Sequence, residues 1–316
     1  MNLAPASGSR PVEKYRHPAD SMTNWNCYYL APSIEDALQA LAKAKGPARL
    51  VAGGTDLLLE LQQGRQAVVD TLVDVTQIPE LNTLEVRAGR LFIGAAVPLH
   101  RLVDVSLVRQ HAQALVEACG QVGGPQVRNV ATLGGNVAHA LPAADGSIAL
   151  HALDAQAELA GINGRRRLPL TDLYLGPGRS ILAESGELLV GFWLPLGQPG
   201  QASAFRRVMR PQGVALPVLN LAAWVQRDGD RLAGVRIAVG PAGPKPLRAL
   251  QTEQTLLGQP LDEPTLAKAN ESLLGEARFR TSPQRATAEY RRHLAGVLLR
   301  QVLALAWERA GNEIPR

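Results

Sequence analysis

Arg128-Asn129-Val130-Ala131-Thr132-Leu133-Gly134-Gly135-Asn136-Val137 is the stretch around which the chain is organised. A short apolar run leads into paired glycines, with Thr132 before them and Asn136 after. The same grammar occurs earlier, in Leu50-Val51-Ala52-Gly53-Gly54-Thr55-Asp56-Leu57-Leu58. Glycine lets the main chain turn where a Cβ would clash, with positive φ available. Successive N–H groups in such a turn form a concave anion site. Two turns of this kind can grip one pyrophosphate from two sides. Taken singly, either Gly-Gly pair also fits an ordinary loop, because short glycine motifs recur by chance.

The flanking sequence narrows the reading. Gln121-Val122-Gly123-Gly124-Pro125-Gln126-Val127 leads into the central stretch, and Leu141-Pro142-Ala143-Ala144-Asp145 follows it. With AGGTDLL and RNVATLGGN, this run resembles the FAD-binding (medium) subunit of the molybdenum hydroxylases. That family includes carbon monoxide dehydrogenase, xanthine dehydrogenase and 4-hydroxybenzoyl-CoA reductase. The resemblance covers roughly residues 24–310. It implies an α+β fold: a vanillyl-alcohol-oxidase-type FAD-binding domain over residues 24–198, in subdomains of about 24–82 and 83–198. A C-terminal sheet-and-helix domain over 199–316 and an N-terminal extension over 1–23 complete the expectation.

The resemblance also implies a function. The chain would hold FAD non-covalently and carry electrons for a heteromeric enzyme. A small partner would carry two [2Fe–2S] clusters, and a large one molybdopterin and the substrate site, in a dimer of heterotrimers. No side chain here need be an acid or base, because the cofactor's own chemistry does the redox work. The alternative from another class is a structural or regulatory protein that keeps the flavin fold and has lost FAD. The intact glycine turns and Asp145 argue against it.

Composition sets bounds on both readings. The chain has 316 residues, suited to two or three domains. Charge is 19% and the formal net charge +5. The basic residues are scattered apart from Arg165-Arg166-Arg167, and aromatics are only 4%, so the basic-aromatic stripe of a nucleic-acid binder is missing. The two cysteines, Cys27 and Cys119, belong to no CxxC and cannot supply a four-cysteine cluster. No apolar run approaches bilayer length. Met1 to Asp20, rich in Pro, Ser and charge, reads as a disordered extension or an arm for a partner, not a secretory signal. The expected compartment is the cytoplasm, with reduced thiols.

Along the chain, Asn26–Leu30 reads as a strand and Ser33 as the N-cap of a helix, with Asp36 three residues on. Arg49–Ala52 is a strand entering the first glycine turn, and Val68–Val75 is another. Leu91–Ala95 follows. His100–Val105 and Ser106–Cys119 read as helical, with Leu107, Gln110, Ala114, Leu115 and Ala118 on one face. Asn163-Gly164 between two strand-like runs is a hairpin signal. Leu188–Leu194 is a strand stopped by Pro195, and Leu196–Gln201 a linker. Three strands then precede two helices. The last helix is expected to start at Ser282-Pro283, with Leu294, Val297, Leu298, Gln301, Val302 and Leu305 on its apolar face.

The resemblance assigns roles residue by residue. Leu50, Val51, Ala52, Gly53, Gly54, Thr55 and Asp56 in one turn, and Thr132, Gly134, Gly135 and Asn136 in the other, are expected around the FAD pyrophosphate. Asp145 is either a helix N-cap or a hydrogen-bond partner of the cofactor's sugar or ribityl portion. Leu189 is either a core strand residue or a cofactor contact. Arg206 is either an exposed sheet arginine or a cation near the flavin. Val122 departs from xanthine dehydrogenase, which has an aromatic at the matching place. A valine offers no π-face, so the expectation is an acceptor other than NAD. Tyr290-Arg291-Arg292-His293 resembles a pattern in the family's last helix and is read as a solvated basic turn or a partner contact. No metal is expected on this chain: His100, His111, His139 and His151 show no metal-ligand spacing.

Overall fold

The computed structural model describes residues 15–16, 25–210 and 216–311. The rest of the N-terminal extension lies outside the described residues. Within it, β1 (Tyr15–Arg16) pairs antiparallel with Tyr28 and Cys27 of β2 (Trp25–Leu30). Tyr15 and Arg16 therefore add an edge to a sheet, where the sequence reads as a disordered extension or an arm for a partner.

The first layer is a small parallel α/β unit. After β2 comes α1 (Ile34–Lys43), whose N-cap Ser33 accepts from the Asp36 N–H at 3.1 Å. β3 (Ala48–Val51), α2 (Leu57–Gln62) and β4 (Val69–Asp74) follow, and the sheet runs β1-β2-β4-β3. β4 is central and buried on both faces, with Val69, Thr71 and Val73 on one and Leu72 and Asp74 on the other, as suits a parallel strand with neighbours on both sides.

The second unit is an antiparallel sheet of order β5-β6-β11-β7-β8. β5 (Leu84–Arg87) and β6 (Arg90–Gly94) form a hairpin. A helical segment intervenes: α3 (Leu99–Asp104), α4 (Ser106–His111), α5 (Gln113–Gly120), α6 (Pro125–Val130), α7 (Leu133–Ala138) and α8 (Asp145–Ala152). The chain returns through β7 (Gln156–Gly161) and β8 (Gly164–Pro169), joined at Gly161 opposite Gly164 around the Asn163-Gly164 turn. The short pair β9 (Tyr174–Gly176) and β10 (Arg179–Ser180), helix α9 (Ile181–Ser185) and the central strand β11 (Leu188–Pro195) complete it.

The helical face expected over Ser106–Cys119 is not continuous. Ala112, at φ −147°, breaks it into α4 and α5, so Gln110 is exposed while Val108 is fully buried.

The C-terminal unit is a β12-β13-β14-β15 antiparallel sheet, formed by β12 (Gln201–Val208), β13 (Leu219–Asp228), β14 (Arg231–Gly240) and β15 (Leu247–Arg248). Three helices cover it: α10 (Leu250–Leu256), α11 (Glu263–Glu276) and α12 (Ala288–Gly311). α12 starts at Ala288, not at Ser282. Ser282 instead pairs with Ala286 in a turn, and Thr287 Oγ1 accepts from the Tyr290 N–H at 3.1 Å. With that start its buried face runs Arg291, Leu294, Ala295, Leu298, Leu299, Val302, leaving Val297 and Gln301 exposed.

The C-terminal sheet docks on α5 and α8. Ser203 Oγ accepts from the Ala114 N–H at 3.0 Å, and Glu117 accepts from the Phe205 N–H at 2.8 Å and from Arg309 at 2.5 Å. An added Cβ on Gly240 would lie 2.1 Å from the Pro142 carbonyl, so only glycine allows this approach.

Candidate functional site

A cleft of about 450 Å³ opens where the two N-terminal units meet. β3 supplies Arg49, Leu50 and Val51 to its wall, continued by Ala52; the end of β6 supplies Ala95 and Ala96. Thr132, Gly134 and Gly135 come from α7, and Leu188 and Leu189 from β11. Seven of the fifteen residues singled out in the sequence thus line one cavity: Leu50, Val51, Ala52, Thr132, Gly134, Gly135 and Leu189. Leu189 sits beside a register shift in the pairing of β11 with β7, a bulge that bends the strand at the cleft.

The two glycine turns meet each other. A Cβ on Gly53 would lie 2.1 Å from the Val130 carbonyl oxygen and 2.8 Å from the Ala131 Cα. The backbone of one turn therefore rests on the backbone leading into the other. Gly54 has φ +65°, the left-handed conformation that glycine adopts without strain.

The turns differ in what their N–H groups do. Among the described residues, the N–H groups of Gly53, Gly54, Thr55 and Asp56 have no protein acceptor. Asp56 caps α2 by position only, with no side-chain bond to it. The second turn is not a loop but the start of α7, and its N–H groups are engaged. Leu133 donates to Val97 O at 3.2 Å, Gly134 to Ala95 O at 2.9 Å and Gly135 to Thr132 Oγ1 at 3.0 Å. Asn136 donates to Thr132 O at 3.0 Å. Gly134 is glycine for packing: its Cβ would stand 2.5 Å from Ala95 O. The sequence reading of two matching N–H cradles is thus corrected. One turn presents free donors, and the other forms a tightly packed wall.

The remaining expected residues lie away from the cleft lining. Asn136 Oδ1 accepts from the Ser147 N–H at 3.3 Å and ties α7 to α8. Val122 is half-buried against the core, and its carbonyl accepts from Arg128 at 3.2 Å. Asp145 opens α8 without a side-chain cap bond. It is 4% exposed, ion-paired with Arg207, and accepts from Asn220 Nδ2 at 2.6 Å. Burial pushes its pKa up, against the pull of Arg207 and Asn220. Arg206, by contrast, is partly exposed, 3.5 Å from Glu117 and bonded to its own neighbour's carbonyl, that of Phe205.

Sequence reasoning missed Arg207, Asn220 and Arg49. Alternation along β12 is the signal for Arg207, since neighbouring strand residues face opposite sides. Arg49 is an exposed cation on the strand that enters the free-donor turn and faces the cleft. Among the described residues, no group of His, Cys, Asp and Glu is arranged to hold a metal ion, and no helix is long and apolar enough to cross a membrane.

Comparison with known proteins assigns this geometry. The FAD binding domain in molybdopterin dehydrogenase matches residues 20–197, and the CO dehydrogenase flavoprotein C-terminal domain matches residues 203–306. The chain belongs to the FAD-binding subunits of the molybdenum hydroxylases. The xanthine dehydrogenase FAD-binding subunit of Escherichia coli O157:H7 is 33% identical over 93% of this chain and all of that one. The carbon monoxide dehydrogenase medium chain of Hydrogenophaga pseudoflava is 28% identical over 89% of this chain and 97% of its own. A solved carbon monoxide dehydrogenase from the same organism superposes with a TM-score of 0.84 over those same shares. The fold of this flavoprotein subunit is therefore the α+β architecture of that family, with an FAD-binding part and a C-terminal flavoprotein domain.

The residues present suit FAD. Four free N–H donors on a glycine turn match the demand of a pyrophosphate for several donors at close range. The adjoining cleft is lined mainly by apolar side chains and main chain, and its volume is of the order used for small-molecule cofactors.

Proposed function

We propose that this subunit relays electrons, within a heteromeric molybdenum hydroxylase, from partner iron–sulfur clusters through FAD to an external acceptor. The observation that carries the site assignment is the free-donor turn Gly53–Asp56 beside the cleft. When bound, FAD supplies chemistry that accepts electrons singly and releases them in pairs.

This chain's own residues bind and orient. The N–H groups of Gly53, Gly54, Thr55 and Asp56 would hold the pyrophosphate, with Thr55 adding a hydroxyl donor. Arg49 would supply the positive charge at the cleft. Leu50, Val51, Ala52, Thr132, Gly134, Gly135 and Leu189 would form walls that exclude water from the cofactor. Asn136 would set α7 against α8. Asp145, with Arg207 and Asn220, would fix the C-terminal domain against the cofactor domain. Arg206 would lie between Glu117 and the flavin side.

The complex would contain a small subunit with [2Fe–2S] clusters and a large molybdopterin subunit, assembled as a dimer of heterotrimers in the cytoplasm. The family relation supports this division of labour. Purification from the native source should yield three polypeptides, with the bound flavin bleached on addition of the oxidisable substrate. A single polypeptide with full activity would contradict the assignment.

The acceptor follows from Val122. Aromatic stacking contributes about 0.5–1.5 kcal/mol beyond area burial, and Val122 offers none. The assembled complex should turn over an artificial dye with a higher kcat/KM than NAD. A kcat/KM for NAD at or above that for the alternatives would overturn this choice of acceptor.

A further inference from the structure

Glu60 and His139 join the helices that leave the two glycine turns. α2 starts directly after Asp56, and its first bonds close on the free-donor turn. The Leu58 N–H donates to Gly54 O and the Glu60 N–H to Asp56 O, both at 2.9 Å. The position of α2 therefore sets the position of that turn. α7 leaves the second turn, and Thr132, Gly134, Gly135 and Ala138 line the cleft. His139, the C-cap residue of α7, places Nε2 3.8 Å from Glu60 Oε1, with the side chains 26% and 24% exposed. Glu60 Oε2 accepts from Gln66 Nε2 at 3.2 Å, which steadies the carboxylate.

The turns are thus tied both by packing and by charge. The packing is Gly53 against the Val130 carbonyl, and it does not respond to pH. The charge is that of an imidazole, the side chain that gains or loses a proton near neutrality. Among the described residues, Glu60 is the one carboxylate within 4.0 Å of His139. Charged groups on the neighbouring elements are turned elsewhere. Arg179, beside the Gly178 N–H that bonds Ala140 O, pairs with Glu184. Arg128 on α6 donates to the Val122 and Gly123 carbonyls, and Asp145 on α8 pairs with Arg207. Asp56, four residues before Glu60, and Arg65, which follows α2, form no ion pair among the described residues.

We propose that Glu60 and protonated His139 are a positioning pair for the cofactor, whose attraction holds α2 against α7 and keeps the Gly53–Asp56 N–H groups in place for the pyrophosphate. The inference rests on the FAD reading of the cleft and deepens it. Neither residue belongs to the cleft lining, so the pair acts through the position of the turn. With His139 neutral, the Coulombic attraction is lost and the packing at Gly53 remains. FAD should therefore be held most tightly at acid pH, and less tightly as pH rises through the range in which an imidazole loses its proton.

The test measures the FAD Kd of the purified full-length chain by dilution at constant ionic strength, reading the fluorescence of freed flavin from about pH 5.5 to about pH 8.5. His151, with its pKa lowered to about 4, stays neutral across that range. An ion pair of this kind is worth a factor of about two to five, so the wild-type Kd should be weaker by that much at the alkaline end. His139→Gln should show the weaker Kd at every pH. His139→Lys stays charged throughout and should recover the tighter Kd at the alkaline end. Glu60→Gln should abolish both the pH trend and, in the double variant, the gain from lysine. A trend that survives in Glu60→Gln assigns the effect to the imidazole alone and overturns the pair. So does wild-type FAD binding with no pH trend, which leaves the cofactor reading standing. Absence of FAD binding at every pH fails that reading, and the proposal with it.

Discussion

Gly53 shows what a single missing methyl group does here. The Val130 carbonyl occupies the place of its Cβ, so Gly53→Ala forces two backbone segments apart. Overpacking of this kind costs roughly 1–3 kcal/mol, occasionally more. Gly64 also has positive φ, at +65°, but open space around it. Gly64→Ala should therefore cost only about 1–2 kcal/mol, the left-handed penalty. Urea unfolding of the two variants checks this: Gly53→Ala should be the less stable and should also retain less flavin, and equal midpoints would contradict it. The glycine motifs were legible in sequence because they are local. Which turn keeps its N–H groups free was not, because the acceptors Val97 and Ala95 lie on a different strand end, outside any motif.

At the scale of an element, α8 carries a pH-sensitive core. It is buried along its whole length, and His151 is 3% exposed. The imidazole Nδ1 lies 2.7 Å from the Ser147 carbonyl, and the ring packs on Tyr174 at 5.4 Å between centroids. Burial lowers the His151 pKa to about 4 from the ordinary 6.5. Below pH 6.5 the unfolded chain binds a proton that the native chain refuses until about pH 4. Stability should therefore fall as pH drops through that window, by roughly 3 kcal/mol at most, and this contribution should be flat above it. Thermal midpoints of wild type and His151→Phe from pH 7 to 4 test this. An unchanged slope in the variant would contradict it. In α12, helix identity was legible from the apolar repeat, whereas the helix start was not. Ser282-Pro283 is a sound start signal, but Thr287 caps α12 instead, while Arg291 holds the intervening turn through the Arg280 carbonyl.

For the whole molecule, the decisive contact joins residues far apart in sequence. Asp145 on α8, Arg207 on β12 and Asn220 on β13 form one buried polar cluster between the domains. Both side chains of the ion pair are 5% exposed. Removing one partner leaves a buried charge uncompensated, at about 3–5 kcal/mol. Arg207→Ala should lower the unfolding free energy by that much, read from urea denaturation, and loosen the domain junction, while Arg206→Ala, at a half-exposed ion pair with Glu117, should cost under about 1 kcal/mol. Equal effects would contradict the assignment of Arg207 to the junction. No spacing rule connects these positions, which is why sequence reading chose Arg206 and saw Asp145 as a cap or a cofactor contact. The family relation, by contrast, was legible from the glycine turns and their flanks alone.

The most direct measurement is the FAD content of the purified full-length chain, released by acid and quantified against protein. The account predicts close to one FAD per chain, recovered in solution without covalent attachment, and a marked fall in Gly53→Ala. A chain that purifies without flavin and takes up none from added FAD, or whose flavin stays with the precipitated protein, would contradict it.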